Sequence, residues 1–314
     1  MGVIERITED GHGFDDWNNI TEDRLLLVSI SGGKDSTAMI LWMIENGLHD
    51  RCQYIYADTK WEHPELYTYI EDVIKPLVGD KFVRVTSTRY PGGMSQLVID
   101  RATFPSANRK FCTQELKQFP IRDHIKQLRD DGHDPINVVG VRAAESKARS
   151  KLEMWDRGGP MGADLDIWRP LIHWTVQDVV DIHARHNVSP CPLYLKKENA
   201  AKRVGCWPCI RSRKSEIAAV AKTTPWRIDE IRQLEADVLA AKIKKKGDEW
   251  DPSQRSAIPT FFQPLEGGDR PSGVYPIDKA VDWALTGRGG KQRELFSSGE
   301  QGCQMWGLCD MGDD

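Results

Sequence analysis

With 314 residues, 39% hydrophobic and 29% charged, the chain has the make-up of a soluble globular protein, able to bury a sizeable core in one large domain or in a main domain plus a smaller one. A net charge of -4 excludes a uniformly basic nucleic-acid coat, and no run approaches the roughly 20 apolar residues of a membrane span. The polar start "MGVIERITEDGHGFDDWNN" is unlike a signal peptide and Arg6 stands where a myristoylation site needs Ser or Thr, so a cytoplasmic location with no membrane partner is expected.

In chain order, Leu25 to Ser29 reads as a buried strand, followed by the turn "SGGKDS" and an apolar helix from Ser36 to Asn46. "CQYIYAD" reads as a strand, "HPELYTYIEDVIKPL" as a helix and "KFVRVTS" as a strand. "FPIRDHIKQLRDDG" then reads as a helix and "INVVGVR" as a β-branched strand. This alternation predicts an α/β domain, a mostly parallel sheet with helices on both faces. Its polar groups, "SGGKDS", "ADT" and "GVRAAES", each directly follow a strand, so all three are expected at one crevice along the carboxyl ends of the strands. Further on, Thr175 and Asp178 have capping-box spacing ahead of a helix. The expected division is a nucleotide-binding domain over 1–190, a cysteine-containing and helical region over 191–246, and an irregular appendage over 247–314, where Gly, Pro and Ser become frequent.

The turn after the first strand is suited to an anion. Gly32 and Gly33 permit close backbone approach, Ser31 and Ser36 carry hydroxyls, Lys34 adds a charge, and the N-H groups opening the next helix point outward with partial positive charge. One residue between the first Gly and the Lys excludes the G-x-x-x-x-G-K-[ST] loop, and G-x-G-x-x-G is absent too. Ser31 to Ser36 resembles the S-G-G-x-D-S loop of the PP-loop ATP pyrophosphatases, at every fixed position. The resemblance implies an adenine nucleotide alpha hydrolase-like fold and a loop gripping the β,γ-phosphates of ATP, or the matching anionic group of a sulfonucleotide.

Other segments resemble the phosphoadenosine phosphosulfate (PAPS) reductase branch of that superfamily. "YADTKWEHPEL" is similar to a D-T-G-x-x-x-P-E-T segment, with Lys60 for the Gly and Leu66 for the last Thr; Asp58 and Thr59 are thereby implied at the nucleoside. "RKFCTQELKQFP" is similar to the branch's Cys-Thr and Leu-Lys segment, where Lys117 is expected to reach a phosphate. "VVGVRAAESKARS" supplies Arg142 and Arg149, whose planar guanidinium groups suit bidentate contact with phosphate or sulfate. The resemblance extends over roughly residues 25 to 215.

Seven cysteines in a chain without a secretion signal point to metal or redox use before disulfides. Cys206 and Cys209 form a C-x-x-C unit, and with Cys112 and Cys191 they supply four thiolates, enough for a [4Fe-4S] cluster or a zinc ion. Free redox-active thiols of lowered pKa, near Lys202, Arg203, Arg211 and Arg213, are the alternative. Cys303 and Cys309 stand as a replacement ligand, a nucleophile or a sulfur acceptor, and Cys52 as core. "RVGCWPCI" together with "FCTQELK" looks most like the ATP pyrophosphatase component of DNA phosphorothioation systems, an iron-sulfur protein. The Glu-Cys-Gly-Leu-His tail and the adjacent Cys-Cys pair of the reductases are absent from the sequence.

The resemblance therefore implies an enzyme that binds ATP with Mg²⁺ and adenylates a substrate oxygen, on the DNA backbone in its most specific form, with a cysteine desulfurase as sulfur donor. Lys34, Asp35, Arg142 and Arg149 are the expected catalytic set, and the basic stretch 196–214, seven Lys/Arg and one acid, is expected near DNA. The competing readings are a sulfonucleotide reductase that releases sulfite and a non-catalytic nucleotide-binding subunit.

Overall fold

The computed structural model describes residues 24–106, 108–156, 165–196, 201–254, 258–262 and 274–286. The chain forms two compact units. The first takes Met1–Ala57, Thr68–Val85 and Pro120–Cys191; the second takes Asp58–Tyr67, Thr86–Phe119 and Pro192–Asp314.

Among the described residues the first unit holds all six strands: β1 (Leu26–Ile30), β2 (Cys52–Ala57), β3 (Phe82–Val85), β4 (Ile136–Val139), β5 (Trp155–Asp156) and β6 (Ile167–Trp168). Their order is β3-β2-β1-β4-β6-β5. Every pairing is parallel except β5 with β6, as the alternating pattern predicts. Leu27 of β1 and Ile55 of β2 pack with Ile125 and Leu128 of helix α4 (Phe119–Asp130) on one face. Successive side chains of a strand point to opposite faces, and Leu26 and Val28 are as fully buried as Leu27, so both faces are covered. Helix α1 (Lys34–Glu45) and helix α5 (Val176–Arg185) pack together, and Trp42 of α1 meets Trp168 of β6 edge-on at 5.6 Å. Thr175 caps α5 by accepting from the Asp178 N-H at 3.2 Å, the expected capping box.

From β1 the chain runs outward to β2 and β3, then returns to lay β4 on the other side of β1. Such a reversal opens a crevice at the carboxyl ends of the two strands, and the loops after β1 and β4 are the ones that reach it.

The second unit is built on helices. Helix α2 begins in it (Pro64–Tyr69) and continues as a π-helical turn, Ile70–Ile74. Helices α3 (Gly93–Arg101), α6 (Lys214–Thr223), α7 (Pro225–Lys246) and α8 (Ile277–Ala284) carry most of its packing. Its core joins Trp61, Leu97, Leu116, Ile231 and Val238 to Phe261, Phe262, Tyr275 and Ile277. The division is therefore interleaved rather than linear at residue 190, because the segments after β2 and β3 carry apolar side chains that complete this core. Nor are the described residues past 247 an appendage: Phe261, Phe262, Tyr275 and Ile277 are wholly buried. Glu235 of α7 holds them, accepting from the N-H of Phe261 at 2.8 Å and of Ile277 at 3.0 Å. Among the described residues no helix is long and apolar enough to cross a membrane.

Candidate nucleotide-binding site

The turn from β1 into α1 is tied by its own hydroxyls. Gly32 takes a left-handed φ of 69°, which a side chain rarely tolerates, and Gly33 is the N-cap of α1. Ser36, buried, donates its hydroxyl to the Gly33 carbonyl at 2.9 Å and accepts from the Ser31 N-H at 3.2 Å, while Thr37 also donates to Gly33 at 3.2 Å. Ser36 thus shapes the loop, whereas Ser31 stays exposed. The first N-H groups of a helix have no acceptor within it, so the start of α1 presents donors of the kind that cradle a phosphate. The loop after β4 comes close: a Cβ at Gly140 would lie 3.1 Å from the Asp35 carbonyl. That explains the glycine of "VVGVR", whose role the sequence does not disclose.

Asp35 sits between two cations. Its Oδ1 accepts from Arg142 Nε at 2.5 Å and its Oδ2 from Lys34 Nζ at 2.7 Å. Burial pushes the Asp35 carboxyl up, but Lys34 and Arg142 outweigh it and hold the acid below its usual range. Arg142 is almost fully buried, and its Nη1 has no hydrogen-bond partner among the described residues. A buried guanidinium with an idle donor is costly unless an anion completes it. Glu145 accepts from the Arg142 backbone N-H at 2.9 Å and pairs with Arg149, which stays partly exposed. All of the expected loop residues and both arginines therefore belong to the first unit.

His183 is a residue that the sequence does not single out. From α5 its Nε2 lies 3.0 Å from the Lys34 carbonyl and its Nδ1 2.8 Å from the Val188 carbonyl. Burial pulls its pKa below the ordinary value, against the upward pull of the two carbonyls. The only signal in the sequence is a polar residue on the inward face of α5, beside Val179 and Ile182.

Asp58 and Thr59 fall in the second unit and are engaged there. Asp58 Oδ1 accepts from the Lys60 N-H at 2.8 Å and the Tyr67 hydroxyl at 2.9 Å, and Thr59 donates to Glu62 at 2.6 Å. Lys60, standing where the related segment has Gly, takes a φ of 54°. The Thr59 carbonyl accepts from Met94 N-H at 3.0 Å, and a Cβ on Gly93 would lie 2.3 Å from that carbonyl oxygen.

Three of the four expected ligand cysteines, Cys112, Cys206 and Cys209, lie in the second unit. Cys206 is held against the 59–62 segment: it bridges with Glu62, and Trp207 N-H donates to the Trp61 carbonyl at 2.8 Å. Its Sγ lies 3.8 Å from Thr59 Oγ1. Burial pushes the Cys206 thiol up to about 11; Lys117 pulls it down, but Glu62 opposes. Burial raises Cys112 as well. Cys206 is therefore raised where a lowered pKa is expected beside the basic stretch. Lys117, expected at a phosphate, instead has its pKa raised by Cys206 first, against burial, with Glu62, Cys209 and Cys112 adding to the rise. It lies on a π-helical turn, Gln114–Gln118, which no sequence pattern announces.

Cys112, Cys206 and Cys209 gather around Lys117 in the second unit. Among the described residues no group of three or more His, Cys, Asp or Glu is disposed to hold a metal ion. Cys191 is buried in the first unit, beside Tyr69, while Cys112, Cys206 and Cys209 belong to the second. Cys303 and Cys309 lie outside the described residues. Each oxygen of Asp35 is paired with one cation, Oδ1 with Arg142 and Oδ2 with Lys34. Cys52 is core, as expected, donating to the Leu48 carbonyl at 3.2 Å.

Residues 25–212 match the phosphoadenosine phosphosulfate reductase domain family. The chain belongs to this family. It is also 30% identical over 323 residues to an uncharacterized 37.8 kDa protein in the gpa 5' region of Escherichia phage 186, covering 88% of this chain and 93% of that one. Among solved structures, PAPS reductase from Candida auris, as a phosphate complex, is similar at TM-score 0.47 and 15% identity, over 62% of this chain and 86% of the other. FMN adenylyltransferase from Candida glabrata, with FMN and an ATP analog, is similar at TM-score 0.40 and 14% identity, over 59% and 54%.

Proposed function

We propose that this member of the PAPS reductase domain family is an ATP pyrophosphatase that adenylates an oxygen on its substrate, most specifically a DNA backbone phosphate, to prepare it for sulfur. The observation that carries the reading is the strand-to-helix cradle of Ser31 to Ser36 beside a buried arginine with an idle donor, Arg142 Nη1.

In this reading the pyrophosphate portion of ATP lies on the N-H groups at the start of α1, with Lys34 and Arg142 balancing its charge and Arg149 at the rim. Asp35 positions both cations and His183 steadies the Lys34 carbonyl. The substrate oxygen attacks the α-phosphorus, the bond from that phosphorus to the bridging oxygen breaks, and pyrophosphate leaves with the electron pair. The terminal sulfur of a cysteine desulfurase persulfide later attacks the activated phosphorus and displaces AMP. A second thiol then cleaves the S-S bond, leaving the phosphorothioate and a disulfide between that thiol and the desulfurase cysteine. No side chain need act as a base, because positioning and charge dominate such transfers. Mg²⁺ would accompany ATP on its phosphate oxygens, and no step here depends on an iron-sulfur group.

Pyrophosphate release by the purified chain, with and without DNA, tests this. Release that requires DNA and is lost in Asp35→Ala is expected. Sulfite from PAPS and thioredoxin, with no ATP turnover, would replace the reading with that of a sulfonucleotide reductase, which the family match also favours.

A further inference from the structure

The second unit contains a cavity of about 770 Å³ whose walls include Arg89, Arg101, Arg109 and Lys245, with Asp100 as the acidic member and Phe111 as an aromatic one. Arg101 lies 5.0 Å from the Phe111 ring centre and is paired with Glu115, yet its Nε is buried with no hydrogen-bond partner among the described residues. Arg89 reaches to 3.9 Å from the same glutamate while its side chain remains 70% exposed. Arg109 is exposed on a turn fixed in both directions, its N-H donating to Ser106 Oγ at 3.1 Å and its carbonyl accepting from Ser106 N-H at 3.1 Å. Lys245 comes from a last turn of α7 that carries three successive lysines.

The basic stretch 196–214 is a weaker place for a polyanion. Lys196 pairs with Glu65 at 2.6 Å, Arg203 with Glu216 at 2.9 Å, and Lys214 donates to the Thr286 carbonyl and lies 5.4 Å from the Trp283 ring centre. Three of its seven cations are thus engaged within the fold. Around the cavity, by contrast, neither Arg109 nor Lys245 forms an ion pair with the described residues.

We propose that this cavity holds the phosphate backbone of a single-stranded nucleic acid. Arginine forks match phosphodiester oxygens, and a concave cationic surface with an aromatic wall is the usual way to track one strand. A duplex would meet only the rim of a concavity of this size. The inference rests on the adenylation reading for the kind of partner alone, since the cavity is formed within the second unit.

The test is anisotropy of a labelled single-stranded oligonucleotide with the full chain, without ATP, at two salt concentrations. Arg109→Ala with Lys245→Ala is expected to weaken binding at least about tenfold and to flatten the salt slope by about 1.4, roughly 0.7 for each phosphate no longer neutralised. Arg211→Ala with Arg213→Ala is expected to change it less than about twofold. Charge reversal at exposed Arg109, Arg109→Glu, should abolish binding while circular dichroism stays native. Unchanged binding in these cavity variants, equal loss in the 211/213 pair, a duplex held as tightly as a single strand, or polyglutamate competing as well as the oligonucleotide would each overturn the assignment. Because this assay contains no ATP it reads binding by itself: strand binding here, with no pyrophosphate release in the separate assay that supplies ATP and DNA, would sink the adenylation reading and leave this one standing.

Discussion

Asp35 in the first unit and Cys206 in the second are both ionisable groups beside a lysine, and they end in opposite states. Asp35 has Lys34 and Arg142 on its two oxygens and no competing acid, so it stays charged despite burial. Cys206 has Lys117, but Glu62 stands against it and burial dominates, so its thiol is pushed up to about 11. A nearby cation therefore does not make a thiolate; the balance of all buried charges does. In the first unit two cations keep a buried acid charged, whereas in the second burial keeps the Cys206 thiol neutral.

The largest effect expected is on the core of the second unit. Phe261→Ala should cost about 3 to 5 kcal/mol in denaturant unfolding, because a fully buried ring is removed. A cost below about 1 kcal/mol would return the C-terminal segment to the status of an appendage. Next, Arg142→Ala should slow pyrophosphate release about 100- to 1000-fold, as for loss of one positioned donor to a developing charge. A loss of only a few-fold would remove the distinction between the two units.

A pH series sharpens the contrast. The Asp35 pKa is depressed on folding, so its contribution is complete above the ordinary carboxylate value near about 4 and is lost as pH falls through the lower folded value. The stability gap between the native chain and Asp35→Asn should therefore be constant from about pH 6 to 8 and shrink only in acid below about 4. A gap that closed near neutrality would mean that Asp35 is not held by its cations. The smallest effect concerns Lys60, at a φ of 54°. Lys60→Gly should stabilise the chain by up to about 1 kcal/mol, read as a higher denaturation midpoint, since glycine removes the left-handed penalty.

How much of this is legible in the sequence follows the same division. The cradle can be read because its parts are local: a strand, six residues of turn and a helix, with Arg142 delivered by the next strand of the switch point. The second unit cannot, because three separate segments meet in it and Trp61, Leu116 and Phe261 only become one core in space. For the same reason Lys117 reads as a phosphate ligand in the sequence, while in the fold its neighbours are thiols and Glu62. C-x-x-C spacing constrains two sulfurs only, and in the fold Cys112 joins Cys206 and Cys209 around Lys117 while Cys191 is buried in the first unit.

The central claim is that ATP breaks between its α- and β-phosphates at the Ser31 to Ser36 loop. The products formed from ATP labelled on the γ-phosphate, with single-stranded and duplex DNA supplied, test it most directly. Label appearing in pyrophosphate, and lost together with turnover in Arg142→Ala, is the predicted result. Label in orthophosphate, or no ATP turnover under conditions where PAPS yields sulfite, would contradict it.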